Sequence, residues 1–149
     1  MSALDGVTVG IAVSTYNANI TRRLREGAIE TLQAAGIDAS RIHIAEVPGA
    51  WELPLACLHF IEQMELSAVV ALGAVIRGET SHDQHINRAV STALMDLMLS
   101  SGKPVGFGLL TCNTMEQAIH RAGGNVGNKG KETAEAVLAM LQLKVTSAG

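Results

Sequence analysis

From Ala68 to Ile76 the chain is unbroken apolar residue or glycine. The run is too short to cross a bilayer, which takes about 20 residues as helix. It also lacks the alternation of a strand with one wet face, so it reads as a central parallel strand covered on both faces. That segment constrains the rest, because parallel strands must be joined by crossovers and those are usually helical. The flanking sequence supplies them. Val7 to Val13 is a short apolar run, with Asn17 or Asn19 placed to cap the helix after it. Ile20, Leu24, Ala28 and Leu32 then recur every four residues until Gly36 stops the pattern.

Arg41 to Val47 reads as a second strand, closed by Pro48-Gly49. A helix begins near Ala50 and carries Pro54 in its first turn, where an amide hydrogen has no helical partner. Ile86, Ala89, Val90, Ala93, Leu94, Leu97 and Met98 make one apolar face on a long helix, and Ser81 with Gln84 has capping-box spacing at its start. Pro104 to Leu110 is the fourth strand. Thr114 with Gln117 is a second capping box, opening a short helix that runs through Arg121 to a Gly123-Gly124 break. Ala134, Val137, Leu138 and Leu141 share one side of the last helix. The expectation is one α/β domain over residues 1–149, a three-layer α/β/α sandwich around a four-stranded parallel sheet, without repeats or linkers.

Composition narrows the function. Apolar residues make up 48% of the chain and charged ones 17%, against about 25% charged in an average soluble domain. The opening residues, Met1 to Asp5, lack the basic stretch and apolar core of a signal peptide. Excess apolar surface without a membrane span points to subunit interfaces, so a cytoplasmic homo-oligomer is expected. A net charge of -3 argues against a nucleic-acid binder. Arg22, Arg23 and Arg25 cluster near Glu26 and Glu30 and read as a solvated helix face. Cys57 and Cys112 have apolar neighbours and no metal spacing, and are expected to be buried free thiols.

In a parallel sheet, ligands bind beyond the carboxyl ends of the strands. That rule selects residues 14–17, 48–52, 77–82 and 111–114, three of which set polar or aromatic groups beside a helix start. Two nucleotide motifs fail. Residues 123–131 lack the glycine five before Gly130-Lys131 and place Glu132 where a phosphate loop has Ser or Thr. Gly106-Phe107-Gly108 begins a dinucleotide fingerprint, but Thr111 stands at its third glycine and the segment lies within a strand. His82 and His85 have a spacing that suits zinc, yet no third ligand can be named, so no metal is assigned.

The strand-end segments together resemble the lumazine synthase family, over nearly the whole chain. The matching stretches are Tyr16-Asn17, VPGAWELP at 47–54, ALGAVIRGETSH at 71–82, FGLLTCNTMEQAIHRAG at 107–123 and GNKG at 127–130. The resemblance implies a flavodoxin-like fold and a cofactor-free condensation of 5-amino-6-(D-ribitylamino)uracil with 3,4-dihydroxy-2-butanone 4-phosphate, giving 6,7-dimethyl-8-ribityllumazine, phosphate and water. It implies that Tyr16, with Asn17 beside it, covers the pyrimidine ring, and that Ala50, Trp51 and Glu52 hold the ring and ribityl chain. Ala74, Val75 and Ile76 would offer backbone donors and acceptors. Glu79 and Thr80 would lie against the keto-phosphate, and Phe107 would arrive from a neighbouring subunit.

His82 would move protons, since an imidazole both takes and returns them near neutrality. Arg121, with Lys129 in support, would clamp the phosphate. The chain departs from the family pattern in two places. Tyr16 stands where tryptophan or phenylalanine is usual, and His85-Ile86-Asn87 replaces more apolar or aromatic neighbours.

The resemblance further implies a homopentamer with sites between adjacent subunits, either free or assembled into a shell of 60 subunits. The short turn between Gly123 and Gly127 favours the shell; the few residues before strand one favour the free pentamer, which is the expected form. The alternative function is a non-catalytic relative that keeps the pocket to bind riboflavin or a lumazine, or to form a shell.

Overall fold

A computed structural model describes residues 4–77 and 82–148, with side chains through Leu143. Six strands and five α-helices lie among them: β1 (Val9–Ser14), α1 (Ala18–Ala34), β2 (Ile42–Val47), α2 (Leu53–Leu58), β3 (Ala68–Ile76), α3 (His82–Ser101), β4 (Val105–Cys112), α4 (Met115–His120), β5 (Ala122–Gly124), β6 (Gly127–Asn128) and α5 (Lys129–Ala148). The main sheet is parallel with order β2-β1-β3-β4, so β3 lies inside it as its composition requires. Seven of its nine residues, Ala68 to Ala74, are buried; the last two, Val75 and Ile76, open partly toward the carboxyl edge.

Alternation along the strands divides the core in two. Val9, Ile11 and Val13 of β1, Val70 and Leu72 of β3, and Leu110 of β4 pack on α1 and α5. Ala12, Val69, Ala71, Val105 and Leu109 pack on α2 and α3. The predicted stripe on α1 is buried at Ile20, Leu24, Ala28 and Leu32, and that on α5 at Ala134, Val137, Leu138 and Leu141. The α3 stripe is only half covered. Val90, Leu94 and Leu97 are buried, while Ile86, Ala89, Ala93 and Met98 keep part of their surface. α1 ends where Gly36 takes φ 102 and Ile37 N–H reaches back to the Leu32 carbonyl at 3.1 Å, a left-handed stop that suits glycine.

Several local expectations change. Strand one begins at Val9, two residues later than the apolar run suggested, and strand four continues to Cys112. The helix after Gly49 opens as a 3-10 turn over Ala50–Glu52 before α2. The Gly123-Gly124 break is half of a small antiparallel hairpin, β5 with β6. Glycine-rich strands this short carry no hydrophobic alternation, which is why the sequence read as a loop. Asn17 does occupy the cap position of α1, but its side chain caps nothing there. Its backbone is left-handed at φ 62, and its amide turns instead to the sheet.

Arg22 and Arg23 are exposed, whereas Arg25 is half-buried and pairs with Glu46 of β2 at 2.9 Å rather than with an acid on its own helix. Both cysteines are buried and unpaired, and burial pushes the Cys57 thiol up to about 12. Among the described residues no helix is long and apolar enough to cross a membrane.

Candidate active site at the carboxyl edge of the sheet

Backbone pairing continues past the ends of β1 and β2. Thr15 N–H donates to the Val47 carbonyl at 2.8 Å and Tyr16 N–H to the Pro48 carbonyl at 3.2 Å. These bonds zip the two strand-end loops together and set Tyr16 beside the Gly49–Trp51 turn. That turn is itself closed: Glu52 N–H donates to the Gly49 carbonyl at 3.2 Å, and Gly49 N–H donates to Glu52 Oε1 at 2.9 Å. A second tie runs to the central strand, where Asn17 Nδ2 donates to the Ala74 carbonyl at 2.9 Å. An αL backbone at Asn17 is tolerated by asparagine better than by most residues, and here the side-chain bond holds it in place.

The result is a cavity of about 370 Å³ lined by Tyr16, Gly49, Ala50, Trp51, Ala74, Val75, Ile76, His82, Asp83 and Ile86. A wider, shallower space of about 490 Å³ adjoins it against Trp51, His82, His85 and Ile86. Tyr16 is 71% and Trp51 64% exposed, so two aromatic faces stand open at one cavity. Aromatic rings left in water beside a concave apolar wall are suited to take a flat ring. A separate void near Thr15, Thr21 and Arg25 measures about 80 Å³, too small for a substrate of that kind.

Tyr16, Ala50, Trp51, Ala74, Val75, Ile76 and His82 are thus brought to one place. Asn17 and Glu52 are not part of this lining, one tying β3 to the first loop, the other closing the Trp51 turn. Asp83 and Ile86 belong to the lining although the sequence did not single them out as ligand contacts. The available signal was position: in the first turns of α3 they share a surface with His82. Glu79 and Thr80 lie outside the described residues, as does Ser81 of the first capping box. The second box forms, with Thr114 Oγ1 accepting from Gln117 N–H at 3.2 Å, while the Gln117 side chain reaches Asn113 N–H rather than that of Thr114.

Three further expected residues do not line this cavity. Phe107 is on the edge strand β4, on the α2/α3 side with Val105 and Leu109, and is 37% exposed. Arg121 ends α4, and Lys129 begins α5. These two are neighbours, because Lys129 N–H donates to the Arg121 carbonyl at 2.9 Å across the β5–β6 hairpin. The GNKG stretch builds that arrangement. Asn128 Oδ1 accepts from Lys131 N–H at 3.1 Å, capping α5, and Asn128 Nδ2 donates to the Arg23 carbonyl at 3.1 Å, fastening the cap to α1. The backbones of Arg121 and Lys129 therefore meet at one corner of the fold.

Residues 6–145 match the family described as 6,7-dimethyl-8-ribityllumazine synthase. The chain is 50% identical to the 6,7-dimethyl-8-ribityllumazine synthase of Rhodopirellula baltica over 97% of both sequences. It is 44% identical to the enzymes of the same name from two strains of Thermus thermophilus, over 93% of this chain and 88% of theirs. A parallel α/β sandwich, a strand-end cavity with open aromatic faces and a histidine on its wall, and identity of this extent run through one chain: it belongs to the lumazine synthase family.

Proposed function

We propose that the protein condenses 5-amino-6-(D-ribitylamino)uracil with 3,4-dihydroxy-2-butanone 4-phosphate to form 6,7-dimethyl-8-ribityllumazine, phosphate and water. Besides family membership, the observation that carries this is the cavity itself, where Tyr16, Trp51 and the end of β3 share walls with His82. The uracil ring lies against the aromatic faces, and its edge meets peptide groups of Val75 and Ile76. Glu52 spends Oε1 on Gly49 and offers Oε2 to ribityl hydroxyls. The amine of one substrate attacks the ketone of the other to give an imine with loss of one water, phosphate leaves, and the ring closes with loss of a second water. His82 carries protons between these steps. Mixing the purified protein with both substrates and following the lumazine absorbance tests the reading, and no chromophore from folded protein overturns it.

Arg121 and Lys129 hold the phosphate, which is also the leaving group, so their charge assists departure as well as binding. Arg121→Ala is expected to weaken the keto-phosphate about ten- to a hundredfold, the worth of a charge-assisted hydrogen bond. The ribityluracil should be nearly unaffected. Substrate-resolved KM values check this, and equal losses for both substrates would make Arg121 only the cap of α4.

Because Phe107, Arg121 and Lys129 lie off the cavity, one chain supplies an incomplete site. Completion by a neighbouring copy fits the apolar surface left open at Leu55, Leu99, Val126 and Leu143, each more than half exposed. The assembly we propose is a cytoplasmic homopentamer with shared sites, free rather than built into a shell. Light scattering should give about 78 kDa, five chains of 15.6 kDa each. A shell would be twelve times heavier, and a monomer at working concentration would remove the shared site.

A further inference from the structure

Asp83 is 6% exposed, and its Oδ1 is buried without a hydrogen-bond partner among the described residues. Leaving a buried carboxylate oxygen unsatisfied is costly, so such groups in native proteins generally have a partner that arrives later or a task that needs them. The residue stands in the first turn of α3, where the helix dipole favours an anion without using up its oxygens. It also forms part of the cavity wall with Tyr16, Trp51 and His82. Oδ1 itself has almost no accessible surface, so meeting a ligand requires a rotation about the soft terminal torsion of the aspartate.

We propose that Asp83 is a binding residue that selects the nitrogen heterocycle, its carboxylate accepting an N–H of the aminouracil. The inference rests on the function proposed above and adds a residue to it. Two features choose this substrate over the other. A uracil bearing amino groups presents several N–H donors, whereas the keto-phosphate carries negative charge that a carboxylate repels. The open aromatic faces at the same cavity belong with a flat ring, not with a four-carbon chain. Asn87, one turn further along α3, also has a buried oxygen without a donor among the described residues. It does not line the cavity, so it supplies the competing explanation: an Asn87 amide turned to donate to Asp83 would satisfy both groups internally.

The test compares Asp83→Ala and the isosteric Asp83→Asn with the parent protein, measuring binding of each substrate separately, KM for each, and the melting temperature without ligand. Loss of a hydrogen bond to a charged group predicts an aminouracil affinity about ten- to a hundredfold weaker in Asp83→Ala. The keto-phosphate should change by no more than about twofold by the same reasoning, since no bond to it is lost. Asp83→Asn, which keeps an acceptor oxygen but not the charge, should fall between. The ligand-free melting temperature of Asp83→Ala should hold or rise, because an unsatisfied buried group has been removed. Unchanged aminouracil binding overturns the proposal, most directly if the melting temperature falls, which would place the partner at Asn87. Equal weakening of both substrates overturns it as well. Parent protein that makes lumazine while its Asp83 variants bind normally refutes this inference alone; parent protein that fails to bind the aminouracil refutes both readings.

Discussion

His82→Ala is expected to lower turnover about a hundredfold, the low end of what general acid–base catalysis contributes. The low end applies because holding two substrates in contact supplies much of the acceleration, and that survives the substitution. His82 is exposed and begins α3, so its removal costs little packing and the melting temperature should scarcely move. Single-turnover absorbance measurements separate the chemical step from product release. Unchanged turnover in a folded variant, with chemistry shown to be rate-limiting, would falsify the assignment. His85 shares the adjoining space with His82, so residual activity in His82→Ala that disappears in the double variant would identify the second imidazole as a stand-in.

Gly130→Ala is expected to be the most destabilising small substitution in the chain. A Cβ at position 130 would sit inside the Leu24 carbonyl, and both partners are backbone of packed helices, α5 and α1. No side-chain rotation relieves that overlap, so the helices must separate. Overpacking costs about 1–3 kcal/mol and occasionally more, and a backbone-on-backbone clash belongs at or beyond the upper end. For a chain of this size that is roughly a 10 °C fall in melting temperature. The same shift moves Lys129 and, through their shared hairpin bond, Arg121. Keto-phosphate binding should therefore weaken in whatever fraction folds. Denaturant unfolding with a substrate titration checks both. A variant as stable as the parent would mean that the α1–α5 contact is looser than the structure has it.

Layer architecture was legible because each element wrote its environment into its spacing. The unbroken run at 68–76 read as a strand covered on both faces, and it is one. The four-residue steps in α1 and the stripe on α5 named the sides that are in fact buried. Periodicity is a local record of burial, so it survives without knowledge of the fold. Most of the cavity was legible for a different reason: in a parallel sheet, strand ends converge at one edge, and the strand-end segments could be marked before their geometry was known. The family pattern then named residues within those segments and at the end of strand three, and seven of them meet at the cavity.

What remained hidden depends on contacts between residues far apart in sequence. Asn17 looks like a helix cap in any reading of its neighbours; that its amide serves the Ala74 carbonyl follows only once β1 and β3 lie side by side. Arg25 has acids nearby on its own helix, yet the strand pairing of β1 with β2 delivers Glu46 to it. The glycines of β5 and β6 carry no pattern, so the hairpin that joins Arg121 to Lys129 is visible only as closed backbone bonds. Nothing in the sequence singles out Asp83; the packing of α3 buries it at the cavity wall, with no donor to its Oδ1 among the described residues. Spacing along the chain was enough to place most of the elements, the buried sides of α1 and α5, and the edge of the sheet where the cavity forms. The tertiary structure alone decided which polar groups find partners, because a hydrogen bond is set by distances of a few tenths of an ångström that no spacing along the chain records.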